Sequence, residues 1–207
     1  MPFMWQAHLT FMLLTFIVLG SLQFTARWRP WLLPCLALAS FISINDLSLA
    51  AHVRSYTDDL AISTLIFLTW ACLLRLGVVE PLTADRRGQV IALFSVLALM
   101  LYPATLGLTY FDPYRWGYNP QSMIVVTGLF ALALLWARNV LGVLMLAIGT
   151  LAFTLRLKAS ENYWDYVMDP LLALYCLAAG IKMLAGIARH PAGRVIGRRQ
   201  LVTRPHS

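Results

Sequence analysis

Residues 122–157 read SMIVVTGLFALALLWARNVLGVLMLAIGTLAFTLRL. Two long apolar runs follow each other here, separated only by Arg138 and Asn139. A helix that crosses a bilayer needs about 20 mostly apolar residues, with a range of about 17 to 25. We interpret the stretch as two antiparallel transmembrane helices joined by a tight turn. The alternative is a re-entrant element that does not fully cross.

Similar apolar runs fill the rest of the chain, which is 60% hydrophobic and 12% charged. A soluble domain is about half apolar and a quarter charged. We therefore predict an all-α fold, a polytopic transmembrane bundle of about seven helices, at residues 8–25, 31–51, 60–79, 89–108, 122–137, 140–157 and 170–188. No basic residue precedes the first run, so we expect a mature helix rather than a cleaved signal peptide. We expect residues 1–188 to form a single transmembrane domain and residues 189–207 a basic cytoplasmic tail.

Charge alternates between the successive connections. The arginines that fall on one predicted side are Arg27, Arg29, Arg75, Arg86, Arg87 and Arg138, together with those of the tail. The acidic residues that fall on the other side are Asp58, Asp59, Asp112, Glu161, Asp165 and Asp169. Four basic residues dissent, each near acidic residues: Arg54, Arg115, Arg156 and Lys158. Because basic residues prefer the cytoplasmic side, we place the N-terminus outside and the C-terminus inside, in a bacterial inner membrane.

Two connections on the predicted outer side combine acidic and aromatic residues. Residues 111–120 read FDPYRWGYNP and residues 161–170 read ENYWDYVMDP. We expect the two stretches to meet on one side of the membrane. The candidate substrate-binding residues there are Asp112, Arg115, Trp116, Glu161, Trp164, Asp165 and Asp169. We also expect a short interfacial helix at residues 160–168, with Ser160 as its N-cap.

These two stretches have two interpretations. One is an aromatic belt at the membrane–water interface, with Asp112 and Asp169 as turn and cap residues before proline. The other is a carbohydrate or lipid-headgroup site, in which aromatic rings pack on the ligand and carboxylates accept its hydroxyl protons or act as general acid and base.

Asn45 and Asp46 lie inside the predicted second helix. Polar side chains in a span are costly in lipid and often functional. The pair therefore indicates a proton or cation site, a hydrogen-bond acceptor for a substrate, or a buried interhelical hydrogen bond.

Other functional signatures are missing from the sequence. Cys35, Cys72 and Cys176 lie in apolar runs without a partner motif, and His8 and His52 belong to no metal-binding pattern. We expect no metal and no cofactor, and the sequence leaves open whether the protein is an enzyme.

Three functional hypotheses remain. The first is a non-catalytic subunit or assembly partner of a larger membrane complex. The second is a protein of envelope lipid or polysaccharide biosynthesis or modification, and the third is a small proton-coupled transporter built on Asn45 and Asp46. The expected partners are the lipid bilayer, other integral membrane proteins, and anionic lipid headgroups at the basic tail. No nucleic acid is expected.

Overall fold

A computed structural model describes residues 4–20 and 29–189, with side chains up to residue 186. The described chain is mostly helical, which confirms the all-α prediction. Its helices are α1 (Met4–Leu19), α2 (Arg29–Ala39), α3 (Leu49–Thr57), α4 (Ile62–Leu76), α5 (Ala84–Thr105), a 3₁₀ helix (Pro113–Tyr118), α6 (Gln121–Trp136), α7 (Val140–Thr154), α8 (Trp164–Val167) and α9 (Pro170–Arg189). Two short strands, β1 (Ser43–Ile44) and β2 (Leu47–Ser48), lie between α2 and α3. The predicted tail falls outside the described residues after Arg189.

Over the described residues, each predicted apolar run except the second forms a single helix, and residues 21–25 of the first run lie outside the described residues. The turn between α6 and α7 is as tight as predicted. Arg138 adopts a left-handed φ of 54°, and the Asn139 side chain caps α7 by accepting from Gly142 N at 3.2 Å. The predicted helical hairpin is therefore confirmed as a fold element.

The second run does not form one helix, so the prediction for residues 31–51 is wrong. A two-stranded hairpin interrupts it, and Asn45 and Asp46 form the turn with φ values of 53° and 63°. Positive φ at both central residues is typical of a type I′ hairpin turn, which Asn and Asp favour. Both side chains are exposed rather than enclosed in a helical span. The turn preference of this pair outweighed the apolar run around it.

Hydrogen bonds at the base of the hairpin join the end of α2 to the start of α3. Leu49 N donates to Ile42 O at 2.9 Å, and Ala50 N donates to Ser40 O at 3.2 Å. The Ser48 side chain caps α3 by accepting from Ala51 N at 3.1 Å. The first backbone donors of α3 are thus satisfied by residues between the end of α2 and the start of α3.

Two connected cores hold the helices together. One lies between α5, α7, α9 and the segment around α8, and its largest fully buried groups include Phe94 and Trp164. The other lies between α1 and α4 and contains Phe16 and Tyr166. α7 packs on both α4 and α6, so it occupies a central position.

Polar contacts link the connections at each end of the bundle. At one end the Arg29 guanidinium donates to Arg75 O at 3.4 Å, and Arg75 donates to Ile17 O. Asn139 Nδ2 donates to Arg86 O at 2.7 Å at the same end. We call this the arginine end; it carries Arg29, Arg75, Arg86, Arg87 and Arg138. The opposite, aspartate end carries Asp58, Asp59, Asp112, Asp165 and Asp169.

Judged by helix length, the structure has fewer candidate membrane spans than the sequence predicts. Among the described residues only α5 has the length and composition of a membrane span, with 22 residues and a mean hydropathy of 1.7. The other apolar helices are shorter: α1, α4, α6 and α7 have 15 or 16 residues, and the apolar part of α9 is Pro170–Gly186. A bundle of seven spans, its orientation and its cellular location therefore stay predictions.

Candidate functional site

The two acidic and aromatic stretches meet at the aspartate end, as predicted. The side chain of Asn162 donates to Tyr114 O at 3.0 Å, and the indole of Trp164 donates to Pro113 O at 2.9 Å. These bonds tie the 3₁₀ helix to the segment after α7. We call the 3₁₀ helix together with residues 158–169 the latch.

Close approach of the two parts depends on Gly117. Its carbonyl accepts from Tyr163 N at 3.0 Å, so the backbones nearly touch. A Cβ at Gly117 would overlap the side chain of Asn162 and lie 2.9 Å from Trp164 Cδ1. Only glycine fits this contact without a shift of the latch.

Lys158 connects the latch to the start of α4. Its ammonium is buried and donates to three carbonyl oxygens, at 2.7 Å to Asp59, 3.1 Å to Leu60 and 2.8 Å to Asp165. Burial lowers the pKa of Lys158 below its usual value, and the carboxylates of Asp165 and Asp59 act in the opposite direction. The Lys158 ammonium therefore links the backbone just before α4 to the backbone of α8, and it does not face solvent.

Asp165 accepts hydrogen bonds from inside the latch. The Tyr114 hydroxyl donates to its two carboxylate oxygens at 3.1 and 3.2 Å, and the Ser160 hydroxyl donates to it as well. Burial, and then the charge of Asp165, raise the pKa of Tyr114. The predicted N-cap role of Ser160 is wrong, because α8 begins only at Trp164 and Ser160 accepts from Asn162 N instead.

Asp169 joins two helix starts. Its Oδ2 accepts from Ala61 N at 2.8 Å, directly before α4, and its Oδ1 accepts from Leu172 N at 2.8 Å in the first turn of α9. The side chain is 7% exposed. The predicted cap role is confirmed, and the same carboxylate also fixes α4.

Two buried tyrosines complete the latch. Tyr166 Oη accepts from Lys158 N and donates to Lys158 O, each at 3.1 Å. Tyr163 Oη and Thr150 Oγ1 share a hydrogen bond of 2.7 Å. Burial raises the pKa of both tyrosines, so they are neutral groups of the interior.

The structure divides the predicted binding residues into two groups. Those that make internal hydrogen bonds of the latch are Trp164, Asp165 and Asp169. Those that lie exposed are Asp112, Arg115, Trp116 and Glu161. Among the described residues, the side chains of Arg115 and Glu161 make no hydrogen bond or ion pair. Asp112 accepts from Tyr114 N at 3.1 Å within its own turn.

Next to the latch lies an open surface cavity of about 780 Å³. Tyr118, Arg156 and Glu161 contribute to its walls, together with parts of Lys158 and Ser160. The cavity offers an aromatic ring and charges of both signs to a polar ligand. Of the predicted binding residues, only Glu161 lines it.

Sequence reasoning missed the groups that make the latch a structural unit. Lys158 was interpreted as a charge on the wrong side, and Asn162 and Tyr114 were not singled out. The one signal for Lys158 was its place within a few residues of several acids. The carboxylates of Asp165 and Asp169 already accept bonds from within the protein, and burial of Asp169 leaves little of it accessible to a ligand.

No group of three or more His, Cys, Asp or Glu side chains suited to a metal ion occurs within residues 4–20 and 29–189. Comparison of the chain with protein-family models, curated proteins and solved structures gives no match.

Proposed function

We propose that this chain is a multi-pass integral protein of a bacterial inner membrane that acts as a non-catalytic subunit or assembly partner of a larger membrane complex. A groove between α5 and α6 carries this proposal, because it offers a surface on which a helix of a partner protein fits.

The groove extends over the height of the two helices. A cavity of about 420 Å³ extends from Gln89 and Ala137 near the arginine end, and one of about 410 Å³ extends to Trp116 near the aspartate end. The two cavities share walls, which are formed by Leu93, Val96, Leu97 and Phe130. α6 packs chiefly on α7, so the space beside α5 stays open.

Small residues line the arginine half of this groove. Ala133 of α6 and Ala137, the C-cap of α6, lie four residues apart, and Ala92 of α5 also lines the groove. Small residues at a four-residue spacing let another helix approach closely, as in many membrane helix pairs. This spacing favours a partner helix over a lipid chain as the occupant.

The outer surface of α6 fits a lipid environment. Leu134 is the one buried residue of this helix, whereas Leu132 and Leu135 are 62% and 59% exposed and Trp136 is 92% exposed. Exposed apolar surface of this extent indicates contact with lipid or protein.

The interrupted second run is also compatible with a membrane. α2 has 11 residues and α3 has 9. At about 1.5 Å per residue their combined length is about 30 Å, the thickness of the hydrocarbon core.

The test is purification of the tagged chain from its native membrane in mild detergent, followed by mass spectrometry. We expect stoichiometric membrane proteins to copurify. Ala133→Phe fills the groove and should remove them, whereas Leu132→Phe changes an exposed residue outside the groove and should retain them. Purification of the native chain without any stoichiometric partner would contradict the proposal.

The cavity beside the latch supports a second candidate, the binding of an envelope lipid headgroup or glycan at the aspartate end. Tyr118 provides a ring face, and Arg156 and Glu161 provide a hydrogen-bond donor and acceptor. We expect Glu161→Gln to abolish an envelope phenotype while Asp112→Asn, outside the cavity, leaves it intact. Equal behaviour of both variants would exclude this role.

The position of Asp46 gives no support to the third hypothesis, a proton-coupled transporter. It required Asp46 inside a helical span, but Asp46 is at the exposed tip of a hairpin. We do not carry it further.

A further inference from the structure

A second cleft lies at the arginine end, between α4, α5 and α9. One cavity of about 670 Å³ opens between α5 and α9, and one of about 290 Å³ extends from it toward α4. The walls that both cavities share are formed by Leu82, Arg87, Ile91 and Tyr175. The two cavities are therefore one continuous cleft, which shares no wall residue with the α5–α6 groove.

The mouth of this cleft is basic. Arg87 and Lys182 line the larger cavity, on α5 and α9 respectively, and both side chains are exposed. Neither makes a hydrogen bond or ion pair with any other described residue. Asp85 lies on the first turn of α5 but does not line the cleft. Two unpaired positive charges thus face one opening.

The inner part of the cleft is apolar and aromatic. Phe67, Trp70 and Leu74 of α4 form one wall. Tyr175 of α9 forms another, with its ring centroid 5.0 Å from that of Phe67. Such walls match hydrocarbon and offer little to a small polar ion.

We propose that this cleft binds an anionic diacyl phospholipid, with its phosphate between Arg87 and Lys182 and one acyl chain along Phe67 and Tyr175. The inference rests on the proposed membrane location. Basic pockets between transmembrane helices at the cytoplasmic face are suited to anionic headgroups. A zwitterionic lipid also carries a phosphate, but the two basic side chains repel its choline cation, and a free phosphate would leave the apolar walls empty.

The test is native mass spectrometry of the full chain in detergent, titrated with phosphatidylglycerol or phosphatidylcholine of the same acyl chains. We expect one phosphatidylglycerol to bind in preference to phosphatidylcholine. The double variant Arg87→Gln/Lys182→Gln should weaken phosphatidylglycerol binding by roughly thirtyfold, from the usual contribution of a basic residue near a lipid surface. Lys182→Arg retains the charge and should retain binding.

Arg138→Gln is the matched control, since Arg138 is an exposed arginine at the same end that does not line the cleft. It should bind phosphatidylglycerol like the native chain. Equal affinity for the two lipids, full binding by the double variant, or an equal loss in Arg138→Gln would overturn the proposal. Displacement of the lipid by glycerol phosphate would also overturn it, because the site would then recognise a soluble phosphate.

This result is independent of the partner experiment. If carbonate extraction releases the chain from membranes, the membrane location itself fails, and the lipid site fails with it. If the chain stays in the membrane and retains its partners but shows no lipid preference, only the lipid site fails.

Discussion

Replacement of Asp169 by alanine tests whether the latch is a structural unit. The carboxylate accepts from Ala61 N and Leu172 N, each at 2.8 Å, and both of these residues are fully buried. Asp169→Ala leaves two buried N–H groups without an acceptor. A buried donor without a partner costs about 1–3 kcal/mol, so we expect a loss of roughly 2–6 kcal/mol in the free energy of unfolding.

The measurement is thermal unfolding of the purified full chain in detergent, followed by circular dichroism. A loss of about 2 kcal/mol lowers the midpoint by roughly 4–8 °C in a chain of this length. Asp169→Asn retains one acceptor oxygen and should fall between the native chain and Asp169→Ala. Asp112→Ala is the control, because Asp112 is exposed and accepts only within its own turn.

The reasoning would be refuted if Asp169→Ala unfolded within about 2 °C of Asp112→Ala, a difference below 1 kcal/mol. It would also be refuted if Asp169→Ala lost function with an unchanged midpoint. That second outcome would return Asp169 to the role of a ligand-binding residue.

Three other changes probe the latch and the hairpin. Gly117→Ala should lower the unfolding midpoint, because the added Cβ pushes the two parts of the latch apart. Gly128→Ala adds a Cβ with nothing within 4 Å, so it should leave the midpoint unchanged or raise it. Equal midpoints for the two variants would exclude the clash at Gly117. The pKa of Tyr114 is raised by burial and by Asp165, so the neutral phenol stabilises the folded state up to pH about 10 and the contribution is lost at higher pH. Tyr114→Phe should therefore unfold more easily at pH about 8 and lose less stability on passing to pH about 11, and parallel pH curves for the two proteins would contradict this. Asp46→Gly suits a type I′ turn and should accumulate and unfold like the native chain, and a loss of stability would show that the Asp46 side chain has a buried role.

The helices were predictable because long apolar runs with polar breaks leave few alternatives. The turn at Arg138 and Asn139 was visible for the same reason. The second run was the exception, and its signal was local: Asn45 and Asp46 follow Ser43 and Ile44 at a spacing that suits a hairpin turn. Apolar content alone outweighed that signal in the sequence interpretation.

The position of the latch was predictable from the sequence, but its hydrogen bonds were not. Alternating charge put both acidic stretches at one end of the bundle. The partners of Lys158 are backbone carbonyls 98 and 99 residues earlier and one nearby. The carbonyls available to Lys158 depend on the backbone conformation just before α4, which cannot be derived from composition. Arg54, another dissenting charge, pairs with Asp59 at 2.7 Å.

The latch can form only late in the synthesis of the protein. The acceptor for Ala61 N is Asp169, which lies 108 residues later in the chain. A ribosome that adds about 5–20 residues per second needs roughly 5–20 s to supply it. Until then the start of α4 lacks both Asp169 and the ammonium of Lys158. The aspartate end of the bundle is thus completed only after residue 169 has been made, and chains that end earlier lack these bonds at the start of α4.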